Sequence, residues 1–176
     1  MLAPFPAPLP LPLPDALHAR DVTLPPARAA DLQPLADLYA VSRMPDLLLA
    51  PWPPERKRSF LDEQFALQHA HFVKHHRKGH FRLVARQGTR IGRFYFDCSL
   101  PEWVLIDILL GPGAQGSGIG GALIGWLQQA AREAGAVGLR LSVARTNPRA
   151  RALYQRLGFI DAGDVAGTHI AMVWRP

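Results

Sequence analysis

The feature that most limits how this chain folds is a glycine-rich stretch between a strand pattern and a helix pattern. Residues 103–110 form a long apolar run interrupted by one acid, Asp107, and predict a buried strand. Residues 111–121 include six glycines, and from residue 119 apolar side chains recur with a period of 3.6 until Gly135. The chain must therefore pass from a strand into an amphipathic helix through a loop that a ligand can approach closely.

A loop of this kind favours anion binding. The first N–H groups of a helix have no partner within the helix, and the helix macrodipole adds partial positive charge at the same end. Residues 115–120 are therefore predicted to bind a ligand that carries a pyrophosphate. A P-loop is excluded because residues 111–126 contain no lysine. A dinucleotide-binding loop is disfavoured because it would follow the first strand, whereas this one lies two-thirds of the way along the chain.

The first fourteen residues place proline at every second position from 4 to 14. Proline fixes φ and removes a hydrogen-bond donor, which favours polyproline II over helix or central strand. Residues 1–20 are therefore predicted to be a flexible or surface-lying arm, with a docking segment for a partner as the alternative. A secretory signal is not expected because the basic n-region and the continuous apolar stretch are both missing. Residues 21–176 are predicted to form a single domain.

Within residues 21–176 the patterns alternate between strands and helices. Residues 81–86 and 91–97 predict a hairpin around the turn at 87–90. Asp31 is the expected N-cap of a helix over residues 32–39, and a second helix is predicted over 56–78. A strand at 139–143, a helix at 147–157 and a strand at 168–174 complete the chain. This order predicts the α/β class, with a mixed sheet flanked by helices.

Composition narrows the classes of partner. The formal net charge of +6 favours anionic ligands. A nucleic-acid-binding module is disfavoured because the aromatic residues fall mostly on apolar faces. The apolar runs are too short for a transmembrane helix, and the single cysteine, Cys98, cannot form an internal disulfide. We therefore expect a cytoplasmic protein that does not bind membranes, with Cys98 as a packed spectator thiol.

Five histidines fall within residues 69–80, together with three basic residues. Pairs of them are one helical turn apart, as metal ligands can be. No carboxylate or cysteine completes such a site, so the sequence predicts a solvated basic helix end and no bound metal. The alternative is that this cluster faces an anionic substrate.

Two sequence landmarks carry a resemblance to a known family. The loop Gln115-Gly116-Ser117-Gly118-Ile119-Gly120 resembles the Gln/Arg-x-x-Gly-x-Gly/Ala signature of the GNAT superfamily of N-acetyltransferases. Residues 147–154, NPRARALY, followed by Gly158-Phe159, resemble its second landmark, Asn-x-x-Ala-x-x-Leu-Tyr then Gly-Phe. The resemblance covers residues 103–174, and the first half agrees only in its order of elements. It implies a mostly antiparallel sheet whose strands splay at the acyl-CoA site.

The resemblance also implies a function and a cofactor. The expected reaction transfers an acetyl group from acetyl-CoA to a primary amine of a small molecule or protein, and an anionic acceptor is compatible with the charge. A non-catalytic acyl-CoA sensor is the alternative, and a homodimer remains open. The residues that the resemblance places on the cofactor are Leu109, Leu110, Gln115, Gly116, Ser117, Gly118, Ile119, Gly120 and Asn147.

The resemblance implies one catalytic residue, and the pattern of the strand before the loop offers a second candidate. Tyr154 matches the tyrosine that protonates the CoA sulfur, with a packed helix aromatic as the alternative. Asp107 is an acid within an apolar strand, where an unpaired carboxylate is costly. It is a candidate general base that relays the amine proton through water, or a structural acid paired with an arginine such as Arg93. Asn147, the residue before a proline, is alternatively a helix cap.

Overall fold

The computed structural model describes residues 2–7 and 15–176. The described helices are α1 (Asp15–His18), α2 (Leu32–Arg43), α3 (Pro54–His75), α4 (Ile119–Glu133) and α5 (Pro148–Arg156). The described strands are β1 (Val22–Thr23), β2 (His80–Arg86), β3 (Thr89–Asp97), β4 (Glu102–Leu110), β5 (Gly138–Ala144), β6 (Ile160–Val165) and β7 (His169–Trp174). In this part of the chain, no helix combines the length and apolarity needed to cross a membrane.

The strands form one sheet in the order β1-β2-β3-β4-β5-β7-β6. Every neighbouring pair is antiparallel except β4 and β5, which are parallel. The β2–β3 hairpin turns at Gln87 and Gly88, whose φ angles of 51° and 75° suit a tight two-residue turn. The predicted α/β class and mixed, mostly antiparallel sheet are therefore confirmed.

The parallel pair β4 and β5 separates soon after it begins. Their ladder contains three residue pairs, which run from Glu102 opposite Gly138 to Val104 opposite Arg140. Beyond these pairs β4 continues to Leu110 along β3 alone, and its other edge faces an opening. A β-bulge in β4 places both Leu105 and Asp107 in register with consecutive residues of β3, which bends the strand locally. The predicted splay is confirmed.

Helices cover the two faces of the sheet. Alternation along β3 sends Phe94 and Phe96 to the face packed against α4 and Tyr95 to the face packed against α2 and α3. Leu123 of α4 and Phe65 of α3 are fully buried in the two layers. The sheet thus has apolar cores on both faces, and its functional openings lie where the strands separate.

Part of the predicted N-terminal arm lies on the α3 side of the sheet. The ring of Phe5 is 4.8 Å from that of His69 and 5.6 Å from that of Phe81, and His69 Nε2 is 2.7 Å from the Ala3 carbonyl oxygen. Residues 2–7 are thus surface-lying. The rest of the proline-rich segment, residues 1 and 8–14, lies outside the described residues, and flexibility of the arm stays a prediction.

Three local expectations differ from the structure. Asp31 stands at the N-cap position of α2, but its carboxylate accepts from the Arg28 N–H at 2.8 Å and from Arg90 at 2.6 Å rather than capping the helix. Helix α3 spans Pro54–His75 rather than residues 56–78. Strand β6 was not expected, because all six of its residues are exposed and give no alternation of apolar and polar positions.

The histidine-rich segment joins the core through His80, which is buried and stacks on Phe96. Burial, with a smaller contribution from the charge of Arg82, lowers the pKa of His80 to about 4. Its Nε2 is 3.3 Å from the Cys98 sulfur, whose pKa is raised by burial and by Asp97. These opposite shifts disfavour a thiolate–imidazolium pair, so Cys98 lacks the activation of a nucleophile. Among the described residues, no three His, Cys, Asp or Glu side chains converge as metal ligands do.

The lowered pKa of His80 predicts that the protein loses stability on acidification. Between the unfolded value of 6.5 and the folded value of about 4, the unfolded chain binds more protons, so the free energy of unfolding rises with pH across this window. Going from pH 7 to pH 4 should cost about 3 kcal/mol through this residue. Urea unfolding at several pH values should show that the free energy of unfolding rises less steeply with pH in His80→Gln than in the parent. An unchanged pH dependence in His80→Gln would contradict the assignment.

Candidate active site

The loop after β4 presents a row of backbone donors. Gly116 and Gly118 have φ angles of 76° and 80°, which L side chains rarely adopt, and α4 begins directly after Gly118. The first helical hydrogen bond runs from the Ala122 N–H to the Gly118 carbonyl at 3.0 Å. The N–H groups of residues 116–121 donate to no backbone carbonyl of the described chain. Such a row at a helix N-terminus suits phosphate oxygens.

Two polar side chains of the loop form hydrogen bonds with nearby backbone carbonyls and stabilise its conformation. The Gln115 side-chain amide donates to the Leu110 carbonyl at 2.9 Å, and the Ser117 hydroxyl donates to the Ala114 carbonyl at 2.6 Å. Both bonds hold the strand-to-helix turn in shape. Within the loop itself, the backbone N–H groups are therefore the donors that remain for an anion.

Arginines surround a groove that the loop forms with α5, here called the loop groove, of about 400 Å³. Arg149 and Arg156 line it, and no Asp or Glu of the described chain does. Arg149 Nη2 lies 3.4 Å from where a Cβ on Gly116 would be, and Arg20 Nη1 lies 3.5 Å from the corresponding point on Gly118. The loop groove is thus a positively charged site for a polyanion.

A second opening, the side cavity of about 230 Å³, lies where β4 and β5 separate. It is bounded by residues of α2, α3, β4 and β5, among them Tyr39, Gln68, Asp107 and Ser142. The loop groove and the side cavity share one wall. The residues that line both are Ile108, Leu109, Asn147, Ala150 and Tyr154.

The open edge of β4 offers backbone groups to this shared wall. Gly111 donates to Ile91 at 2.8 Å, and peptide groups alternate sides along a strand, so the Leu109 peptide groups point toward β3. The peptide groups of Ile108 and Leu110 therefore point to the open edge. There the Gln115 side-chain amide donates a hydrogen bond to the Leu110 carbonyl. Leu109 lines both openings, but the outward N–H groups belong to its two neighbours.

Tyr154 stands at the junction of the two openings. Only 7% of the residue is exposed, and burial, with a contribution from the charge of Asp107, raises the pKa of its hydroxyl above the ordinary range. No described residue hydrogen-bonds to this hydroxyl, although the ring packs against Phe159. A phenol that stays protonated at neutral pH and faces two openings is suited to donate a proton there.

Asn147 has a structural role that the sequence had left open. Its side-chain oxygen accepts a hydrogen bond from the Ala150 N–H at 3.1 Å and so caps helix α5. Pro148 follows at the first helical position, where a missing N–H has no cost. The same residue lines both openings, so the cap positions the start of α5 at the junction.

Asp107 forms an ion pair with the arginine named as its alternative partner. The Arg93 Nε donates to Asp107 Oδ2 at 2.7 Å, and the other end of the guanidinium donates to Gln68 at 2.6 Å. The Arg93 side chain is 3% exposed and that of Asp107 is 20% exposed. The guanidinium also lies 5.4–5.8 Å from the rings of Tyr95 and Tyr39. Asp107 thus has a fixed counterion and still borders the side cavity.

A family model described as "Acetyltransferase (GNAT) family" matches residues 41–159, more than half of the chain. The chain belongs to the GNAT family. Its fold resembles a crystal structure of the PaiA N-acetyltransferase from Thermoplasma acidophilum in complex with coenzyme A, with a TM-score of 0.67. That structure is 18% identical and is matched over 88% of this chain and 99% of its own. A search of curated proteins finds no match.

Two further N-acetyltransferase structures share the fold at low identity. The ribosomal-protein-S18-alanine N-acetyltransferase from Escherichia coli is 22% identical, with a TM-score of 0.58 over 88% of this chain and 93% of its own. A spermidine N-acetyltransferase chimera of Vibrio cholerae and hSSAT is 20% identical, with a TM-score of 0.58 over 88% of this chain and 95% of its own.

The fold brings most of the predicted GNAT site residues to one place. Tyr154, Asn147 and Leu109 lie on the shared wall, Asp107 borders the side cavity, and the glycines of the loop border the groove. Arg20 was missed, because it belongs to the segment predicted as a flexible arm and only the fold brings it to Gly118. Nothing in the sequence around Arg20 distinguishes it from the other arginines.

The buried ion pair predicts a large loss of stability when one partner is neutralised. Asp107→Asn leaves the Arg93 guanidinium buried without a counterion and should lower the free energy of unfolding by about 3 kcal/mol. Replacing both, as Arg93→Met with Asp107→Asn, should recover part of that loss because no charge stays buried. Urea unfolding measures both variants.

A matched control is Asp164→Asn, which removes the acid of a solvent-exposed pair with Arg145. Its stability should change little, because exposed pairs contribute weakly. A loss in Asp107→Asn no larger than that in Asp164→Asn would show that Arg93 does not depend on its partner.

Proposed function

We propose that this GNAT protein is an acetyl-CoA-dependent N-acetyltransferase. The pyrophosphate of acetyl-CoA lies on the backbone N–H groups of residues 116–121, and the pantetheine arm follows the open edge of β4. The acceptor amine enters from the side cavity. The observation that carries the proposal is the shared wall, because donor and acceptor can meet there beside the Tyr154 hydroxyl.

The chemistry follows from this arrangement. The nitrogen lone pair of a neutral amine attacks the thioester carbon, and the developing oxyanion accepts a hydrogen bond from an outward N–H of β4, with Leu110 the nearest to the loop. The C–S bond then breaks, and the Tyr154 hydroxyl gives its proton to the departing sulfur. The proton lost by the amine passes through water to Asp107 and then to solvent, and Tyr154 regains its own proton from water.

Similar proteins support the amine as acceptor and CoA as carrier. The Thermoplasma acidophilum structure contains coenzyme A, and the two other similar structures are N-acetyltransferases acting on an alanine of a ribosomal protein and on spermidine. The charge of the loop groove agrees with the phosphates of CoA, since Arg20, Arg149 and Arg156 surround it.

Calorimetric titration tests the cofactor site. The parent protein should bind acetyl-CoA and should not bind NADPH. Gly118→Val should abolish binding, because its side chain would occupy the position of a phosphate and the φ of 80° disfavours it. Gly113→Ala is the matched control, because Gly113 lies in the same loop with open space around it and no positive φ, so affinity should be retained.

The outcomes of this titration are distinct. Retained affinity in Gly118→Val, with its helical content unchanged by circular dichroism, would mean that the phosphates bind elsewhere. Binding of acetyl-CoA without release of CoA in the presence of any amine would favour the acyl-CoA sensor instead.

Tyr154→Phe should separate chemistry from cofactor binding. Loss of the hydroxyl removes the proton donor for the thiolate and should lower kcat by about 100-fold, while the Kd for acetyl-CoA stays nearly unchanged. Steady-state release of CoA and calorimetry measure the two quantities. An unchanged kcat would remove Tyr154 from the mechanism.

Tyr95→Phe is the control for this change. Tyr95 is buried and borders neither opening. Removal of its hydroxyl should leave kcat unchanged. A similar fall in both variants would indicate a general loss of packing rather than loss of a proton donor.

A further inference from the structure

The residues that line the side cavity include more positive than negative side chains, which affects the kind of acceptor that can bind there. Asp107 is the only carboxylate among the described residues that line it, and Arg93 engages one of its oxygens at 2.7 Å. Two guanidinium groups, those of Arg93 and Arg43, line the same cavity. A polycationic amine needs several carboxylates for its distal charges, and this wall does not supply them.

Of the two arginines among the described residues that line the side cavity, Arg43 is the one accessible to a ligand. It belongs to the last turn of α2, its side chain is 49% exposed, and it lines the side cavity but not the loop groove. Its Nε is 3.1 Å from Asp46 Oδ2, and its two terminal nitrogens form no hydrogen bond with a described residue. The edge formed by these two terminal nitrogens can bind a carboxylate or phosphate in bidentate fashion.

Arg43 also stands apart from the place of reaction. The acetyl group must lie at the shared wall, near Leu109 and Tyr154, whereas Arg43 contributes only to the part of the cavity beyond that wall. A molecule that reached both places would need its amine at the shared wall and an anionic group at Arg43. Ser142 and Gln68 are polar residues that line the same cavity.

We infer that the acceptor is a small amine that also carries an anionic group, a carboxylate or a phosphate, which Arg43 binds while the amine reaches the acetyl group at the shared wall. This inference rests on the proposed acetyltransferase function. The volume of the cavity, about 230 Å³, is below the usual range of about 300–1,000 Å³ for drug-sized ligands and suits a molecule the size of an amino acid. The net charge of +6 attracts such an anion.

Release of CoA from acetyl-CoA by matched amines tests the inference. Alanine is compared with alaninamide, and phosphoethanolamine with ethanolamine, so that each pair differs in the anionic group. Spermidine and a tripeptide amide complete the set. At least one of the two anionic amines should exceed its neutral match in kcat/KM by 10-fold or more, and the member that does so identifies carboxylate or phosphate as the anion. Spermidine should be the poorest acceptor.

Arg43→Gln should raise the KM for the preferred anionic amine about 10-fold, with kcat and the Kd for acetyl-CoA held. It should also remove the preference for the anionic member of the pair. Arg140→Gln is the matched control, because Arg140 is similarly exposed, at 55%, and pairs with one carboxylate, Glu102, yet lines neither opening. Its kinetics should equal those of the parent.

The outcomes separate this inference from the function on which it rests. Equal rates within both pairs, a preference for spermidine or for the tripeptide amide, or an unchanged KM in Arg43→Gln would each overturn the inference and leave an acetyltransferase. Absence of CoA release with every amine would overturn the proposed function, and the inference with it.

Discussion

The separation of β4 from β5 after three residue pairs is the constraint on which the site depends. A parallel ladder that continued to Leu110 would close the sheet and satisfy the outward peptide groups of β4 internally. Because the ladder stops at Val104, one strand edge stays available, the loop groove and the side cavity open on either side of it, and Tyr154 reaches the gap between them. The fold keeps these polar edges open while its apolar cores on both faces hold the strands in place.

The ion pair between Arg93 and Asp107 supports this opening from one side. It crosses from β3 to β4 next to the bulge, and Gln68 ties the same guanidinium to α3. One charged group thus joins two strands and a helix at the wall of the side cavity. Its burial is costly, but the aromatic rings around the guanidinium and the two hydrogen bonds offset part of that cost. Local packing and the electrostatics of the site are therefore set by the same residues.

The sequence predicted those parts of the molecule that rest on local patterns. The glycine loop, α4, the hairpin and the cap-to-tyrosine spacing of α5 follow from periodicity, turn chemistry and the two landmarks, because each lies within a short stretch of chain. Strand β6 could not be predicted, since an edge strand such as Ile160–Val165 with no buried residue has no period-two pattern. Nor could the sequence show whether Asp107 is paired, because Arg93 meets it through strand register, and register is a property of the sheet as a whole.

The segment before β1 contributes both to the hydrophobic core and to the charge of the loop groove. Leu17 is fully buried in the core next to α4, and Arg20, three residues later, lies beside the glycine loop. Proteolytic trimming or a downstream translation start that removed residues up to 20 would expose apolar surface of α4 and remove a cation from the groove in one event. A weakened cofactor affinity in such a shortened protein would then reflect loss of core packing as much as loss of the Arg20 side chain from the groove.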